Sequence, residues 1–527
     1  MIINPVLTGF HPDPSMICVN GTFYIANSTF EYFPGVAISS SRDLANWENV
    51  AAPLDTINIL NMTGNPKSGG IWAPCLTYHE GFFYLVFTDV KSWAFGPFKD
   101  TPNYIIKAAS IEGPWSEPVF INCSGFDPSL FHDEDGRKYI VNMEWDYRKK
   151  EDAQFTGILL TEIDADTLKP IAEPIKIFKG SERGLVEGPH LYKIDGYYYL
   201  ITAEGGTSYA HAVTVARSRN IAGPYELHPN THLISSKDAP EGYLQKAGHG
   251  SICKAPDGRW WAAFLCGRPL DDSMRCPLGR ETAIAEVVWE EGWPYLKDGG
   301  IVPPDRFEGY GEKELEKLHS YDFSSSAFKK EFMSLRIPAQ YDILEDGRLR
   351  LYGKESLSSV HNQNMLVRRQ TDFCFEVETC LELPFNHFQR MAGLLYRYNE
   401  ENQYYLRIAF NEEKQQQCLG ILCFDKGDFS MPLVENEIPV RNGKLYLRLT
   451  VRNKYGEFSY AGEDKHWKVI PYKLDVSILS DEYATPMGFT GAFVGMSCQD
   501  MMDRSGYADF YSFNYKVLDC IAHQQEI

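Results

Sequence analysis

Five segments in the first 300 residues share one pattern, and this repetition constrains the fold more than any other feature of the sequence. Each segment begins with a polar or aromatic residue, continues through a small residue or proline into an apolar strand, and then has a glycine before an aromatic-rich strand. The lead residues lie 59, 55, 60 and 62 positions apart, and the glycine follows each by 8 or 9 positions. A glycine at that point suits a hairpin turn that needs positive φ. The lead residues are Asp13, Trp72, Asp127, Glu187 and His249.

Repeat units of about 60 residues with several short strands are typical of propeller blades. The sequence therefore predicts an all-β chain that begins with a five-bladed β-propeller over residues 1–305. A long β-sandwich with accidental similarity is the alternative, and it does not explain five units in phase. A polar, charged linker is predicted at 306–319. Residues 320–527 are predicted to form a separate β-sandwich, because 373–383 and 444–452 alternate with period two, as half-buried antiparallel strands do.

Charge and hydropathy exclude several classes of partner. The chain has 71 acidic and 51 basic residues, a net charge of −20, and no Lys/Arg-rich patch, so a nucleic-acid backbone would be repelled. No apolar run approaches membrane-spanning length, and the first residues have neither the basic nor the apolar region of a signal peptide. We therefore expect no nucleic-acid and no membrane partner.

The 12 cysteines are scattered and include no CxxC pair and no cluster of zinc-like ligands. Several lie in apolar stretches, as buried reduced thiols do. Disulfides in an exported protein would be the alternative, which the missing signal peptide disfavours. The prediction is a cytoplasmic protein. The cysteines in apolar stretches are Cys18, Cys75, Cys253, Cys266 and Cys423.

The lead residues are chemically informative because blade symmetry places them at equivalent positions. If the innermost strand of each blade starts there, all five converge on one face of the central channel. Three carboxyls around one pocket oppose one another in a low-dielectric site, so a purely structural channel would seldom collect them. A hard-cation site would usually add several more oxygen ligands. Glycoside hydrolysis needs one protonated and one ionised carboxyl, and a third can keep the acid protonated.

Six motifs along the propeller carry a family resemblance: FHPDPS (10–15), STFEYFPG (28–35), GIWAP (70–74), FDPS (126–129), VEGP (186–189) and CPLGRET (276–282). With these motifs the sequence resembles the β-xylosidases of glycoside hydrolase family 43. The resemblance covers nearly the whole chain, is very specific in the propeller, and likens the second domain to the concanavalin-like β-sandwich of two-domain xylosidases. It implies an exo-acting, inverting hydrolase that releases terminal D-xylose from xylobiose and other short β-1,4-xylo-oligosaccharides.

The resemblance also implies roles for individual residues. Asp13 matches the general base that activates water, Glu187 the general acid, and Asp127 the residue that raises the pKa of the acid and orients it. Arg280 matches a cation that hydrogen-bonds sugar hydroxyls. Inversion implies a separation of roughly 6.5–9.5 Å between the carboxyls of base and acid. The other substrate-binding residues implied are Phe30, Trp72, Trp145, Thr207, His249 and Phe493.

The resemblance further implies that the sandwich domain closes the pocket, with Phe493 at its mouth, and that the protein is a homo-oligomer, either a dimer or a tetramer. It implies no required cofactor and no metal ligand in the catalytic set, but it allows a divalent ion beside His249. α-L-Arabinofuranosidase, as a side activity or as the main one, is an alternative within enzymes. A non-catalytic carbohydrate-binding propeller and a retaining sucrose-type hydrolase are alternatives of other kinds; the latter needs carboxyls at about 5–5.5 Å.

Overall fold

A computed structural model describes residues 1–93, 98–314, 316–485 and 487–520. The chain divides into two compact units. The first contains 1–268 and 280–314, and the second contains 269–279 with the described residues from 316 to 520. The first unit is a five-bladed β-propeller in which every blade is one four-stranded antiparallel sheet. No helix in the described ranges is long and apolar enough to cross a membrane.

The first two blades are each made from consecutive segments of chain. Blade one has the strand order β2-β3-β5-β6, and blade two has the order β10-β9-β8-β7. The short β1 precedes blade one, and β4 falls between β3 and β5 in the sequence. The bounds are β1 (Ile2–Ile3), β2 (Ser15–Val19), β3 (Thr22–Asn27), β4 (Tyr32–Phe33), β5 (Ala37–Ser41), β6 (Glu48–Ala51), β7 (Gly70–His79), β8 (Phe82–Val90), β9 (Asn103–Ala108) and β10 (Val119–Asn122).

The remaining three blades follow the same plan, with strand orders that run in sequence from β11 to β22. A short 3-10 helix, Glu151–Gln154, precedes β13. The bounds are β11 (Ser129–His132), β12 (Lys138–Trp145), β13 (Phe155–Ile163), β14 (Ile175–Phe178), β15 (Glu187–Ile194), β16 (Tyr197–Glu204), β17 (Ala212–Ser218), β18 (Glu226–Ile234), β19 (Gln245–Lys254), β20 (Trp260–Gly267), β21 (Arg280–Glu290), β22 (Trp293–Leu296) and β23 (Arg306–Phe307).

The repeat predicted from the sequence corresponds to the first hairpin of each blade. All five repeat glycines have positive φ, between 77° and 90°, in the turn between the first and second strands. These turns would strain a residue with a Cβ atom, which explains why glycine recurs there. Apolar side chains between neighbouring blades form the cores, for example Ile38 with Leu85 between the first two blades and Val215 with Phe264 between the last two.

The ring is closed by the first residues of the chain, which bind the last blade. β1 pairs with β23, so that Ile2 and Ile3 face Phe307 and Arg306. The side chain of Asn4 donates to the carbonyl oxygens of Ile284 and Pro304, both at 2.8 Å. The backbone amides of Val6 and His11 donate to Thr282 and Arg280, both at 2.9 Å. Closure therefore depends on hydrogen bonds between residues nearly 300 positions apart.

The second unit is a β-sandwich of two antiparallel sheets. One sheet has the order β26-β27-β39-β29-β35-β36-β37, with β24 on β39, and the other has β28-β38-β30-β31-β32-β33, with β34 on β32. The bounds are β24 (Leu318–Tyr321), β25 (Ser334–Leu335), β26 (Tyr341–Ile343), β27 (Leu349–Tyr352), β28 (Met365–Arg369), β29 (Cys374–Glu382), β30 (Arg390–Asn399), β31 (Asn402–Asn411), β32 (Gln416–Asp425), β33 (Asp428–Ser430), β34 (Ile438–Pro439), β35 (Leu445–Arg452), β36 (Tyr455–Ala461), β37 (Lys468–Asp475), β38 (Phe493–Asp500) and β39 (Tyr507–Val517).

The two segments whose period-two alternation predicted the sandwich become β29 and β35, which pair with each other along their whole length. Their alternate residues, such as Val377 and Leu449, enter one large core between the sheets. Among the described residues there is one α-helix, α1 (Ser326–Glu331), and it is capped by Ser325, whose hydroxyl accepts a hydrogen bond from the amide of Phe328. Two short 3-10 helices, Val434–Asn436 and Val476–Ile478, complete the unit.

The observed units differ from the predicted domain boundaries. The predicted linker, 306–319, contains β23, which belongs to the propeller sheet with β1, and the start of β24, which belongs to the sandwich. Residues 269–279, predicted to lie in the propeller, belong to the second unit, where the amide of Ala492 donates to Pro277 at 2.8 Å. Nothing in the local pattern of a blade signals that this loop packs elsewhere. The end of the predicted sandwich domain, 521–527, lies outside the described residues.

The cysteines also differ in part from the prediction of reduced thiols. The five in apolar stretches are free, but Cys374 and Cys520 form a disulfide with a Cα–Cα distance of 5.5 Å. The bond joins the start of β29 to the residues after β39, two neighbouring strands of one sheet. The pairing spans 146 positions, so spacing alone does not reveal it.

Candidate active site

The first strands of the five blades surround the propeller axis, and the predicted acids stand where these strands begin. Asp13 and Asp127 each precede a Pro-Ser dipeptide that leads into β2 and β11, and Glu187 is the first residue of β15. His249 lies within β19. The acids affect the ionisation of one another, so the structure brings all three together in one site.

The register of the lead residues differs from the prediction in two blades. The residues with positive φ at the equivalent point are Asp13 (52°), Ala73 (34°), Asp127 (55°), Gly188 (55°) and His249 (44°). Trp72 and Glu187 therefore precede the equivalent position by one residue. Both blades have a register shift there, between Trp72 and Cys75 and between Glu187 and His190. Such a bulge turns a side chain in a new direction, which a count of residues cannot reveal.

Asp13 is buried and held by two donors. The hydroxyl of Ser28 donates to its Oδ2 at 2.6 Å, and Nη1 of Arg280 donates to its Oδ1 at 3.0 Å. Nδ1 of His249 lies 3.6 Å from the same Oδ1. The hydroxyl of Ser28 in turn accepts from the amide of Ala73 at 2.7 Å. A carboxyl bound by a guanidinium and a hydroxyl is held in a fixed orientation.

Arg280 connects three of the predicted residues. Besides Asp13, its Nη1 donates to the hydroxyl of Thr207 at 3.2 Å, and its guanidinium lies 5.0 Å from the centre of the Phe30 ring. Arg280 is buried, so it is not a surface residue, and its neighbour Glu281 forms a buried ion pair with Arg268. Arg280 is thus a cation inside the site, and it is positioned to offset the charge of the acids.

Glu187 and Asp127 form the acidic side of the site. Burial, and then the charge of Asp13, raises the pKa of Glu187 to about 8, while Arg280 and Lys99 act in the opposite direction. Burial, followed by the charges of Glu187 and Asp13, holds the pKa of Asp127 well above its usual range. The amide of Gly188 donates to Oδ2 of Asp127 at 3.1 Å, which connects Asp127 to the residue after Glu187. Near neutral pH, Glu187 therefore carries a proton that it can donate.

Gly188 is required for this geometry. Its φ of 55° lies in the left-handed region, and a Cβ atom there would lie 2.8–3.0 Å from the imidazole ring of His249. His249 is itself buried, and burial lowers its pKa, so the ring is neutral near pH 7. In the described part of the chain, no three His, Cys, Asp or Glu side chains converge as they would around a metal ion. The divalent ion beside His249 stays a prediction.

Aromatic side chains form one side of the site. Trp72 contacts Phe30 and Phe126, with ring centres 5.7 and 5.3 Å apart, and its indole N–H donates to the carbonyl of Ser68 at 2.9 Å. Phe126 lies 6.3 Å from Trp145, which joins this aromatic group from β12. Such rings provide flat apolar faces for sugars. Phe126 was missed, although it directly precedes Asp127.

Lys99 is the functional candidate that the sequence did not suggest. It lies in the loop between β8 and β9, with its ammonium 4.3 Å from the Trp145 ring centre and 5.5 Å from that of Trp93. Burial lowers its pKa to about 8, and the charge of Glu187 opposes this shift. A lone lysine in an irregular loop belongs to no repeat, so no sequence signal marks it.

Phe493, the last predicted residue, is in the second unit. It is the first residue of β38 and is buried, with its backbone paired to Arg369 in β28 and Arg397 in β30. Its role at a pocket mouth stays a prediction.

The raised pKa of Glu187 predicts a stability effect. Below the unfolded value of about 4.5 both states hold the proton; between about 4.5 and 8 only the folded state does, so the folded state loses stability as the pH rises. Glu187→Gln, which mimics the protonated acid, should raise the free energy of unfolding by about 1–3 kcal/mol at pH 7.5 and have little effect at pH 4.5. Urea denaturation at both pH values measures this.

The exposed Glu117 offers a matched control, since Glu117→Gln removes a carboxylate that water solvates in both states. An equal stability change for Glu187→Gln at both pH values would contradict the raised pKa.

Comparison with known proteins finds two family models that together cover most of the chain. The model described as glycosyl hydrolases family 43 matches residues 2–294, and the one described as beta xylosidase C-terminal Concanavalin A-like domain matches 320–516. A xylosidase/arabinosidase 43B of Humicola insolens is 46% identical, with 99% of each chain covered. A beta-xylosidase of Bacillus subtilis (strain 168) is 44% identical over 98% of this chain and 99% of its own. The crystal structure of xylan beta-1,4-xylosidase from Bacillus halodurans C-125 has a TM-score of 0.93 and 47% identity, with 98% and 100% coverage.

Proposed function

Since the chain belongs to glycoside hydrolase family 43, we propose that it removes terminal D-xylose from short β-1,4-xylo-oligosaccharides with inversion of configuration. The observation that carries this proposal is the contrast between the environments of two carboxyls in one site, the buried Asp13 and the half-buried Glu187. Glu187 holds its proton to a pH of about 8, whereas Asp13 is bound by the guanidinium of Arg280 and the hydroxyl of Ser28. An acid and a base at one site are the two groups that inverting hydrolysis needs.

In the proposed mechanism, Asp13 takes a proton from a water molecule as the water oxygen attacks the anomeric carbon. Glu187 gives its proton to the glycosidic oxygen, so the bond to the leaving sugar breaks without releasing an alkoxide. To Asp127, which accepts a hydrogen bond from the amide of Gly188, we assign the role of keeping Glu187 protonated and oriented. Proton exchange with solvent then restores both groups. A separation of roughly 6.5–9.5 Å between the carboxyls of Asp13 and Glu187 belongs to this proposal.

The substrate contacts in this proposal come from residues around the acids. Arg280, which contacts Asp13 and Thr207, hydrogen-bonds hydroxyls of the terminal sugar, and His249 lies beneath it. Phe30, Trp72 and Trp145 supply apolar walls. The proposal includes exo-action, that is, release of one sugar at a time from the end of the chain.

Arabinofuranosidase activity is the second candidate, because one similar protein is named xylosidase/arabinosidase. We further propose a cytoplasmic homo-oligomer, a dimer or a tetramer, without nucleic-acid or membrane partners; the net charge of −20 and ten free cysteines in the described part of the chain support this. A non-catalytic propeller would not need three acids at one site.

Incubation with xylotetraose, followed by chromatography and proton NMR of the first products, tests the main proposal. We expect xylose and xylotriose as the only early products. The new xylose should appear first as the α anomer. Early xylobiose would mean internal cleavage, and an initial β anomer would mean retention. Parallel incubation with arabino-oligosaccharides gives the ratio of the two activities.

A further inference from the structure

Two exposed aromatic rings contact each other across neighbouring blades, in a tilted arrangement. Phe98, in the loop between β8 and β9, is 66% exposed, and Tyr147, in the loop between β12 and β13, is 50% exposed. Their ring centres are 4.9 Å apart with an interplanar angle of 32°. Rings this exposed add little to a core, so packing alone does not account for the pair.

The pair continues the aromatic wall of the active site. Phe98 directly precedes Lys99, whose ammonium lies 4.3 Å from the Trp145 ring centre, and Tyr147 follows Trp145 by two residues. The ring of Trp93, 5.5 Å from the same ammonium, lies 5.9 Å from Trp72. Aromatic faces therefore extend from the acids outward to the exposed pair.

Lys99 also identifies which end of the substrate this surface would contact. Its charge lowers the pKa of Glu187, so Lys99 is near the general acid. In the proposed mechanism the acid protonates the glycosidic oxygen, so the leaving part of the substrate is on the side of Glu187. The exposed pair is consequently on the leaving side of the site.

We infer that Phe98 and Tyr147 form a binding site for the leaving part of a xylo-oligosaccharide, beyond the first leaving sugar. Xylopyranose rings have apolar faces that stack on aromatic side chains. The rings of Phe98 and Tyr147 present an aromatic surface of this kind outside the pocket. The inference rests on the proposed function and adds to it a preference for longer substrates.

The double variant Phe98→Ala/Tyr147→Ala tests this inference by comparing substrates of different chain length. We expect kcat/KM for xylotetraose to fall about five- to tenfold, mainly through KM, and that for xylobiose to change less than about twofold. Phe120→Ala is a matched control, because Phe120 lies in the same blade as Phe98, is 53% exposed and packs against Tyr104. It should leave the ratio of the two kcat/KM values unchanged.

Equilibrium binding gives a readout that does not need turnover. In an Asp13→Ala background, calorimetry with xylotetraose should show a Kd about five- to tenfold weaker when both rings are removed, with xylobiose affinity unchanged. Equal losses for both sugars, or no loss for either, would overturn the inference. Failure of the wild-type protein to hydrolyse any xylo-oligosaccharide would instead overturn the proposed function, and the two failures are distinguishable.

Discussion

Asp13→Ala should lower kcat/KM by about 10³- to 10⁴-fold on every glycoside, whatever its leaving group. Asp13 is the carboxyl bound by both Arg280 and Ser28, and in the proposed mechanism it activates water for all substrates alike. The fall in kcat/KM that follows from losing this step should therefore be similar for good and poor leaving groups. Steady-state rates on xylobiose, a nitrophenyl xyloside and a dinitrophenyl xyloside measure it.

Asp133→Ala is the appropriate control for Asp13→Ala. Asp133 is equally buried, lies just after β11, and binds Lys193 and the hydroxyl of Tyr198, both at 2.8 Å, so its loss tests the effect of removing a buried carboxylate elsewhere in the propeller. If Asp13→Ala retained more than about a tenth of the activity on any of the three substrates, Asp13 would not be the base.

Glu187→Ala should have an effect that depends on the leaving group. The sugar that leaves from xylobiose is a poorly stabilised alkoxide unless its oxygen is protonated, so kcat/KM for xylobiose should fall about 10²- to 10⁴-fold. Dinitrophenolate needs almost no protonation in order to leave, so kcat/KM for dinitrophenyl xyloside should fall about tenfold or less. Rates on a series of aryl xylosides of increasing leaving-group pKa measure this dependence.

The pH profile gives a second signature of the same variant. In the wild-type protein, kcat/KM should decline above a pH of about 8, because deprotonated Glu187 cannot donate. The alkaline decline should be absent for dinitrophenyl xyloside with Glu187→Ala. Equal losses on good and poor leaving groups would refute the assignment of Glu187 as the acid.

The blades were predictable because each needs a turn that only glycine adopts without strain. All five repeat glycines occupy such turns, and β29 and β35 confirm the period-two alternation. Other features depend on pairings distant in the chain. The disulfide of Cys374 and Cys520 and the packing of residues 269–279 in the second unit depend on partners that no local pattern reveals.

The site was predictable only as a set of residues. Repeat symmetry selected Asp13, Asp127 and Glu187, but Trp72 and Glu187 each precede the equivalent position of their blade by one residue, beside a bulge in β7 and β15. Ser28 and Lys99 were missed as partners of the acids. The role of a single hydroxyl or ammonium depends on which residues the fold places beside it, and the sequence does not show these neighbours.

Closure of the ring has a consequence for how the protein folds during its synthesis. Asp13 is synthesised with the first blade, but its partner Arg280 is 267 residues later, in the strand that residues 4–11 must bind to close the ring. A nascent chain that has completed four blades already holds all three acids, but of the two cations that offset the charge it holds Lys99 and lacks Arg280. Domains fold as units during synthesis, so the repulsion among these carboxyls disfavours a compact four-bladed intermediate until the fifth blade emerges. The cluster of three acids that the proposed mechanism uses therefore also destabilises an incomplete, four-bladed ring.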